Sequence, residues 1–235
     1  MAIPGSGNHT PHGCAACPFA PQCLSGTDPS LQGLIEHGAP VHAGGWLFRQ
    51  GDPFQQLAVV RSGSVKTVAI DRDGREQILG FHLAGDLLGL DAIDDGWHPS
   101  SAIALDTVLL CRLPFPVVAR AAAGSPELQN RLFRLLSRDI SRAAQLSGPH
   151  AAEERLAAFL VGMTDRLGRR GCSVTRCQLS MTRTDIASYL RLAPETLSRL
   201  LRRFQQQGLL QVEGREVELR GRERLQAMAA PILRQ

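Results

Sequence analysis

Between Ala39 and Leu113 short apolar runs alternate with turn residues. The runs Leu57 to Val60, Val65 to Ile70, Ile78 to Leu83 and Val108 to Leu113 stand among Gly51-Asp52, Ser62-Gly63, Asp73-Gly74 and Gly85-Asp86. Punctuation at intervals of about 11 residues predicts antiparallel strands in a sandwich or jelly roll, not parallel α/β units. The period then changes. From Pro126 to Ser147, the residues Leu128, Leu132, Leu135, Leu136, Ile140 and Ala144 recur on one helical face, and Pro149 marks a stop. Such a helix is ~30 Å long. Its apolar stripe predicts a dimer seam; the competing reading packs the stripe on its own β domain. Arg131, Arg134, Arg138 and Arg142 form a second stripe, read as a solvated face.

The C-terminal third carries helical spacing again. Leu156, Phe159, Leu160, Met163 and Leu167 predict one amphipathic helix, and Thr182-Arg183-Thr184-Asp185 resembles a capping box opening a second through Leu190. After a turn at Arg191 to Ala193, Pro194 suits the first position of a third helix to about Gln207. Leu197, Leu200, Leu201 and Phe204 then face inward. A hairpin of Leu209 to Val212 and Val217 to Leu219 turns about Glu213-Gly214. Helix, turn, helix and hairpin describe a winged helix-turn-helix whose later helix enters a major groove. On it Arg199 can donate twice to guanine, Glu195 can accept from cytosine, and Ser198 can reach a base or a phosphate. Arg202, Arg203 and Arg215 suit phosphates, which fix position without reading sequence. The competing reading is a three-helix core with a solvated polar face.

The predicted fold class is therefore α+β: a cysteine-rich segment at 1–30, a β-roll at 31–124, a dimerisation helix at 125–148 and a winged helix-turn-helix at 149–235. Length agrees, since 235 residues suit two modest domains and a connector. Hydrophobic content of 43% supports globular cores, and the net charge of +4 is mildly basic. Arginine supplies nearly all the positive charge, Lys66 being the only lysine. Met1 to Gly13 lacks the pattern of a signal peptide, and no apolar run approaches the roughly 18 residues of a membrane span. The reading is cytoplasmic, with no membrane partner.

A reducing compartment disfavours a disulfide framework for six cysteines and favours metal ligation, redox sensing or buried thiols. Cys14, Cys17 and Cys23 form a C-x2-C-x5-C array in a stretch to Pro29 without periodicity, and Cys111 sits alone after an apolar run. That pattern suggests a thiolate-ligated centre. A structural zinc using His9 or His12 beside the three cysteines is one option, and an iron-sulfur cluster another. Cys172 and Cys177 are a spare pair beside a turn.

Three segments carry a family resemblance. Gln77 to Asp94 (QILGFHLAGDLLGLDAID), Ala152 to Leu160 (AEERLAAFL) and Pro194 to Gln205 (PETLSRLLRRFQ) resemble the FNR branch of the CRP/FNR regulators, as do the cysteine array and Leu110-Cys111-Arg112-Leu113-Pro114-Phe115. The resemblance covers nearly everything from Cys14 to Arg220. It implies a homodimer holding one 4Fe-4S cluster per subunit on Cys14, Cys17, Cys23 and Cys111 in the absence of oxygen. It further implies palindromic DNA sites with TTGAT-type half-sites, read by Glu195, Ser198 and Arg199, loss of the dimer when oxygen degrades the cluster, and an RNA polymerase contact near Asp71 to Arg75. Read from its own chemistry, Gln22, polar and adjacent to Cys23, would admit solvent to such a cluster. The chain departs from the familiar pattern in shorter stretches before Gly51 and before Ala152, in Arg191 at a turn that favours glycine, and in Ala193 at a cap position.

Other inputs and classes fit less of the chain. A cyclic-nucleotide site needs an arginine after its Gly-Glu turn, and no Lys or Arg lies between Arg75 and Arg112. A haem input would use His82 or His98. An electron carrier would use the same cluster, yet the chain offers no G-x-G-x-x-G fingerprint and no second full cysteine array. No catalytic constellation is present in the sequence, so the reading is a regulator and not an enzyme.

Overall fold

The computed structural model describes residues 14, 17, 19 and 23–233, without the side chains of 145–147. A helical turn α1 (Leu24–Thr27) and a 3-10 turn (Pro29–Leu34) lead into strands β1 (Glu36–His37), β2 (Trp46–Phe48), β3 (Gln56–Ser62), β4 (Ser64–Ile70), β5 (Glu76–Leu83), β6 (Leu87–Leu88), β7 (Ser101–Ala104) and β8 (Leu109–Pro114). The strands build two antiparallel sheets, in the orders β1-β8-β3-β6 and β2-β7-β4-β5. Alternation along β3 explains the stacking. Ala58 and Val60 point into the space between the sheets with Val65, Ala102, Val108 and Leu110. Leu57 and Val59 point the other way, onto Leu24, Leu31, Cys111 and Leu113. A strand buried on both faces reads as a continuous apolar run, as Leu57 to Val60 does. Gly63 closes the β3–β4 hairpin at φ 82°, and a Cβ there would stand 2.5 Å from the Thr107 carbonyl oxygen, so glycine is required.

Helix α2 (Phe115–Gly124) follows, then α3 (Pro126–Ser147) over the predicted range. Ser125 caps α3 by accepting from the Leu128 amide at 3.3 Å, and Pro126 occupies the first turn. Within one chain the apolar stripe divides. Leu128 is fully buried against its own β-roll, and Leu132, Leu135 and Leu136 are partly buried on the same cluster. Ile140 is 69% exposed, and so is Phe133 at 57%, which the stripe had omitted. Phe133 and Ile140 form the apolar face of α3 that its own chain leaves exposed.

The C-terminal unit contains α4 (Ala152–Gly168), β9 (Arg176–Gln178), α5 (Arg183–Tyr189), α6 (Pro194–Gln206), β10 (Leu210–Glu213), β11 (Glu216–Leu219) and α7 (Arg222–Ala229). The capping box forms: Thr182 Oγ1 accepts from the Asp185 amide at 3.0 Å, and the Asp185 carboxylate accepts from the Thr182 amide at 3.0 Å. The wing gains a third strand, β9, paired with β11. Its three residues are too few to show a period. Arg191 is the single non-glycine residue at positive φ, 53°, among the described residues.

This unit is docked on the β-roll. Lys66 Nζ donates to Asp185 at 2.6 Å, Ser188 Oγ accepts from the Ile78 amide, and the Ser188 carbonyl accepts from Gln77. Phe81 of β5 packs with Phe159 and Tyr189. His82, beside this junction, contacts Thr67 Oγ1 at 3.2 Å. Burial lowers its pKa to about 4, Asp86 opposing and Arg166 and Arg142 adding to the effect. The unfolded chain therefore binds more protons between pH 6.5 and 4, and stability that is complete above 6.5 falls across that window. We expect urea unfolding to show a loss of at most about 3 kcal/mol between pH 6.5 and 4. In His82→Gln that slope should flatten.

Candidate metal centre and nucleic-acid interface

The thiols converge because three elements present them to one place. In β8, Leu110 points between the sheets, so Cys111 and Leu113 point outward, beneath the N-terminal segment. Cys23 stands at the N-terminus of α1, whose Leu24 is buried on the same cluster. The Cys17 amide donates to the Cys14 carbonyl at 3.1 Å, which holds these two cysteines close together. All four cysteines line one cavity. Ile35, Val59 and Val60 form apolar wall, while Ser25, His37 and Arg61 supply polar groups.

Each polar group addresses sulfur. The buried Ser25 hydroxyl donates to Cys14 Sγ at 3.5 Å and Cys23 Sγ at 3.4 Å. His37 Nδ1 lies 3.7 Å from Cys111 Sγ. Burial pushes the Cys111 thiol up to about 11, and Arg61 pulls it back towards the thiolate. Without a metal this thiol stays protonated and unreactive; a metal would displace the proton. Among the described residues no three Cys, His, Asp or Glu close on a single point as one ion demands. Thiols ranged around a cavity suit a polynuclear cluster, in which different irons take different thiolates. The donor set and its apolar enclosure thus fit an iron-sulfur cluster.

The remaining candidates fall elsewhere. His98 is 6% exposed and stacked on Phe48 at 3.8 Å, so it packs in the β-roll. Cys177 is buried in β9 and Cys172 is exposed, both as free thiols. His9, His12 and Gln22 lie outside the described residues. Ser25 and Arg61 were not legible as site residues: an ordinary serine and a strand-end arginine carry no spacing signal. In the Asp71 to Arg75 turn, Asp71 Oδ1 accepts from the amides of Asp73 and Arg75, a local reason for its polarity.

At the other end, α6 turns Leu197, Leu200, Leu201 and Phe204 into the core and leaves Glu195, Ser198, Arg199 and Arg202 exposed. Ser198 Oγ donates to the Pro194 carbonyl at 2.9 Å, and Arg199 Nη2 to Thr196 Oγ1 at 3.3 Å. Arg203 is ion-paired with Glu153 of α4, a contact that competes with phosphate. Arg215 is exposed at the wing tip, and Arg183 of α5 donates to the Gly214 carbonyl, tying wing to helix. An exposed helix with three arginines and an acid, framed by a wing, matches the shape and charge of a major-groove reader.

A β-roll followed by a long helix and a winged helix-turn-helix defines a DNA-binding transcription regulator. Comparison with known proteins agrees. Residues 40–123 match the cyclic nucleotide-binding domain model, and residues 154–228 match the Crp-like helix-turn-helix domain model. The transcriptional activator protein Anr of Pseudomonas aeruginosa is 42% identical over 214 residues, 88% of each chain. The fumarate and nitrate reduction regulatory protein of Escherichia coli K12 is 40% identical over 224 residues, 92% of this chain and 90% of that one. Among solved structures, FixK2 from Bradyrhizobium japonicum superposes with a TM-score of 0.74 at 28% identity, covering 83% of this chain and 96% of that one. The chain belongs to the FNR branch of the CRP/FNR family of transcription regulators. It is a regulator and not an enzyme, as the sequence predicted, and no helix among the described residues is long and apolar enough to cross a membrane.

Proposed function

We propose that this regulator senses oxygen through a 4Fe-4S cluster, one per subunit, held by Cys14, Cys17, Cys23 and Cys111. The observation that carries the reading is the meeting of all four cysteines around one enclosed cavity. The cluster, when bound, supplies an oxygen-labile iron centre. The protein supplies the rest. Cys111 ties the N-terminal segment to the β-roll, Arg61 offsets thiolate charge, and Ser25 donates to two sulfurs. Leu24, Leu31, Cys111 and Leu128 share one apolar cluster, so the segment that the cluster orders rests directly on α3. Its order is thereby coupled to the dimer face at Phe133 and Ile140.

The dimer binds palindromic DNA with TTGAT-type half-sites in the cytoplasm. Glu195, Ser198 and Arg199 read bases, Arg202, Arg203 and Arg215 meet phosphates, and RNA polymerase is the downstream partner. Cyclic nucleotide is not the input in this reading. Anaerobic purification with iron and acid-labile sulfide assays, followed by binding to a TTGAT palindrome before and after air, tests it. Four irons and four sulfides per chain with air-sensitive dimeric binding support the proposal. Zinc, or no metal, with air-indifferent binding rejects it.

Ser25 provides a finer test. Hydrogen bonds to cluster sulfurs raise the reduction potential, so removing one eases oxidation. In Ser25→Ala we expect the anaerobic iron content to stay at the wild-type value and the visible cluster absorbance to decay roughly fivefold faster in air, the equivalent of about 1 kcal/mol. An unchanged decay rate would show that the hydroxyl has no such role.

A further inference from the structure

The arginine stripe of α3 is not the solvated face its spacing suggested. Arg134 and Arg138 are exposed, but Arg131 and Arg142 are partly buried. Arg131, Arg138 and Arg142 border a cavity of ≈ 60 Å³ against the Gly85 to Leu90 segment, where Arg166 of α4 and Arg169 and Arg170, which follow that helix, complete the wall. Two carboxylates, Asp86 and Asp139, also line it. Six guanidinium groups against two carboxylates leave an excess of four positive charges.

Both carboxylates are already engaged. Asp86 bonds Arg166 and, at 2.9 Å, Arg170, while Asp139 pairs with Arg142 at 3.4 Å. Burial would raise the Asp86 pKa, but Arg166 and Arg170 hold it down at about 2. Arg166 Nε is buried without a hydrogen-bond acceptor. The side chains of Arg166 and Arg170 are only 15% and 11% exposed, so water screens their mutual repulsion poorly. Arg142 and Arg170 have lowered pKa values, first from burial and also from Arg166. Arg138 and Arg169 make no side-chain ion pair among the described residues.

We propose that this cavity binds a tetrahedral oxyanion of the phosphate class. Guanidinium forks match such an anion two bonds at a time, and one anion would meet guanidinium groups of α3 and of the α4 end at once, beside the Asp86 carboxylate that Arg166 and Arg170 already neutralise. The arginines belong to α3, to α4 and to the turn that follows α4; the β-roll contributes a carboxylate, so this is not a cyclic-nucleotide phosphate pocket of β-roll origin. At 3.6 residues per turn, Arg131, Arg138 and Arg142 lie on the side of α3 away from Phe133 and Ile140, so a second subunit on that face leaves the cavity accessible. The bound anion fastens the dimer helix to the DNA-binding domain, whose Arg166 and Arg170 already hold the sensor domain through Asp86.

The test is thermal unfolding of the full-length protein in sodium phosphate against sodium chloride at matched ionic strength, with pyrophosphate and AMP as further arms. A saturable rise of roughly 3 °C in phosphate alone is expected. It should vanish in R138Q/R169Q, whose residues are exposed and hold no ion pair, and persist in R72Q/R120Q, which removes the same charge elsewhere on the surface. If AMP acts at lower concentration than phosphate with the same dependence on Arg138 and Arg169, the site holds the phosphate of a nucleotide; if phosphate suffices and AMP is inert, it holds the free anion. Absence of a saturable rise in every arm, or a rise that survives in R138Q/R169Q, overturns the proposal.

Discussion

Cys111→Ser should abolish iron retention and, with it, weaken anaerobic binding to a TTGAT palindrome by about two orders of magnitude. Serine keeps the size of the side chain, and the position sits in β8 between Leu110 and Arg112 with its register to Val59 and His37 intact, so the fold survives. What changes is the ligand. A hydroxyl loses its proton far less readily than even this thiol, whose pKa burial has already pushed to about 11. Cys14, Cys17 and Cys23 then lose their anchor on the β-roll. Coupling between cluster and dimer is a free energy; if cluster loss removes ~3 kcal/mol of dimer stability, occupancy changes by about two orders of magnitude. We therefore expect DNA affinity at fixed protein concentration to fall about 100-fold. Cys177→Ser is the matched control, since Cys177 is likewise buried with its thiol near 11 but lies in β9, outside the cavity. Equal loss of iron in both variants would assign the effect to a disturbed fold and remove Cys111 from the ligand set.

The elements with a strong period were readable from residues alone. Helix α3 spans Pro126–Ser147 as spaced, because a serine cap and a proline at the first turn fix its start. The hairpins follow their glycine turns. Less legible was which partner each face of α3 would take, because one chain does not say what lies opposite a leucine. Leu128 and Ile140 share a stripe, yet one is buried in its own domain and the other stands in solvent. The same limit hid the inward arginines, since long side chains can reach a cavity from a face that looks solvated. It also hid Lys66, whose partner Asp185 lies 119 residues away. Spacing alone left the role of the cysteine array open; the family resemblance grouped Cys111 with it, and all four thiols line one cavity.

Arg199→Ala should weaken binding to the TTGAT palindrome by about 1–3 kcal/mol per half-site, and a symmetric dimer incurs that loss twice. The side chain lies on the exposed face of α6 and holds only a 3.3 Å bond to Thr196 Oγ1, which it can exchange for the O6 and N7 of a guanine. A contact of that kind discriminates, so the variant should bind the palindrome and a site changed at the guanine of each half-site almost equally, where the wild type separates them. Arg202→Ala makes the contrast. A phosphate contact carries no sequence information, so its loss should weaken all DNA alike and reduce the slope of log K against log salt by about 0.9 per subunit. Leu197, Leu200 and Leu201, which set the orientation of α6, are untouched by either change. Titrations of both variants on both DNA sequences at several salt concentrations separate the two roles. If Arg199→Ala instead lowers affinity uniformly and flattens the salt slope, its guanidinium meets the backbone, and base reading falls to Glu195 and Ser198.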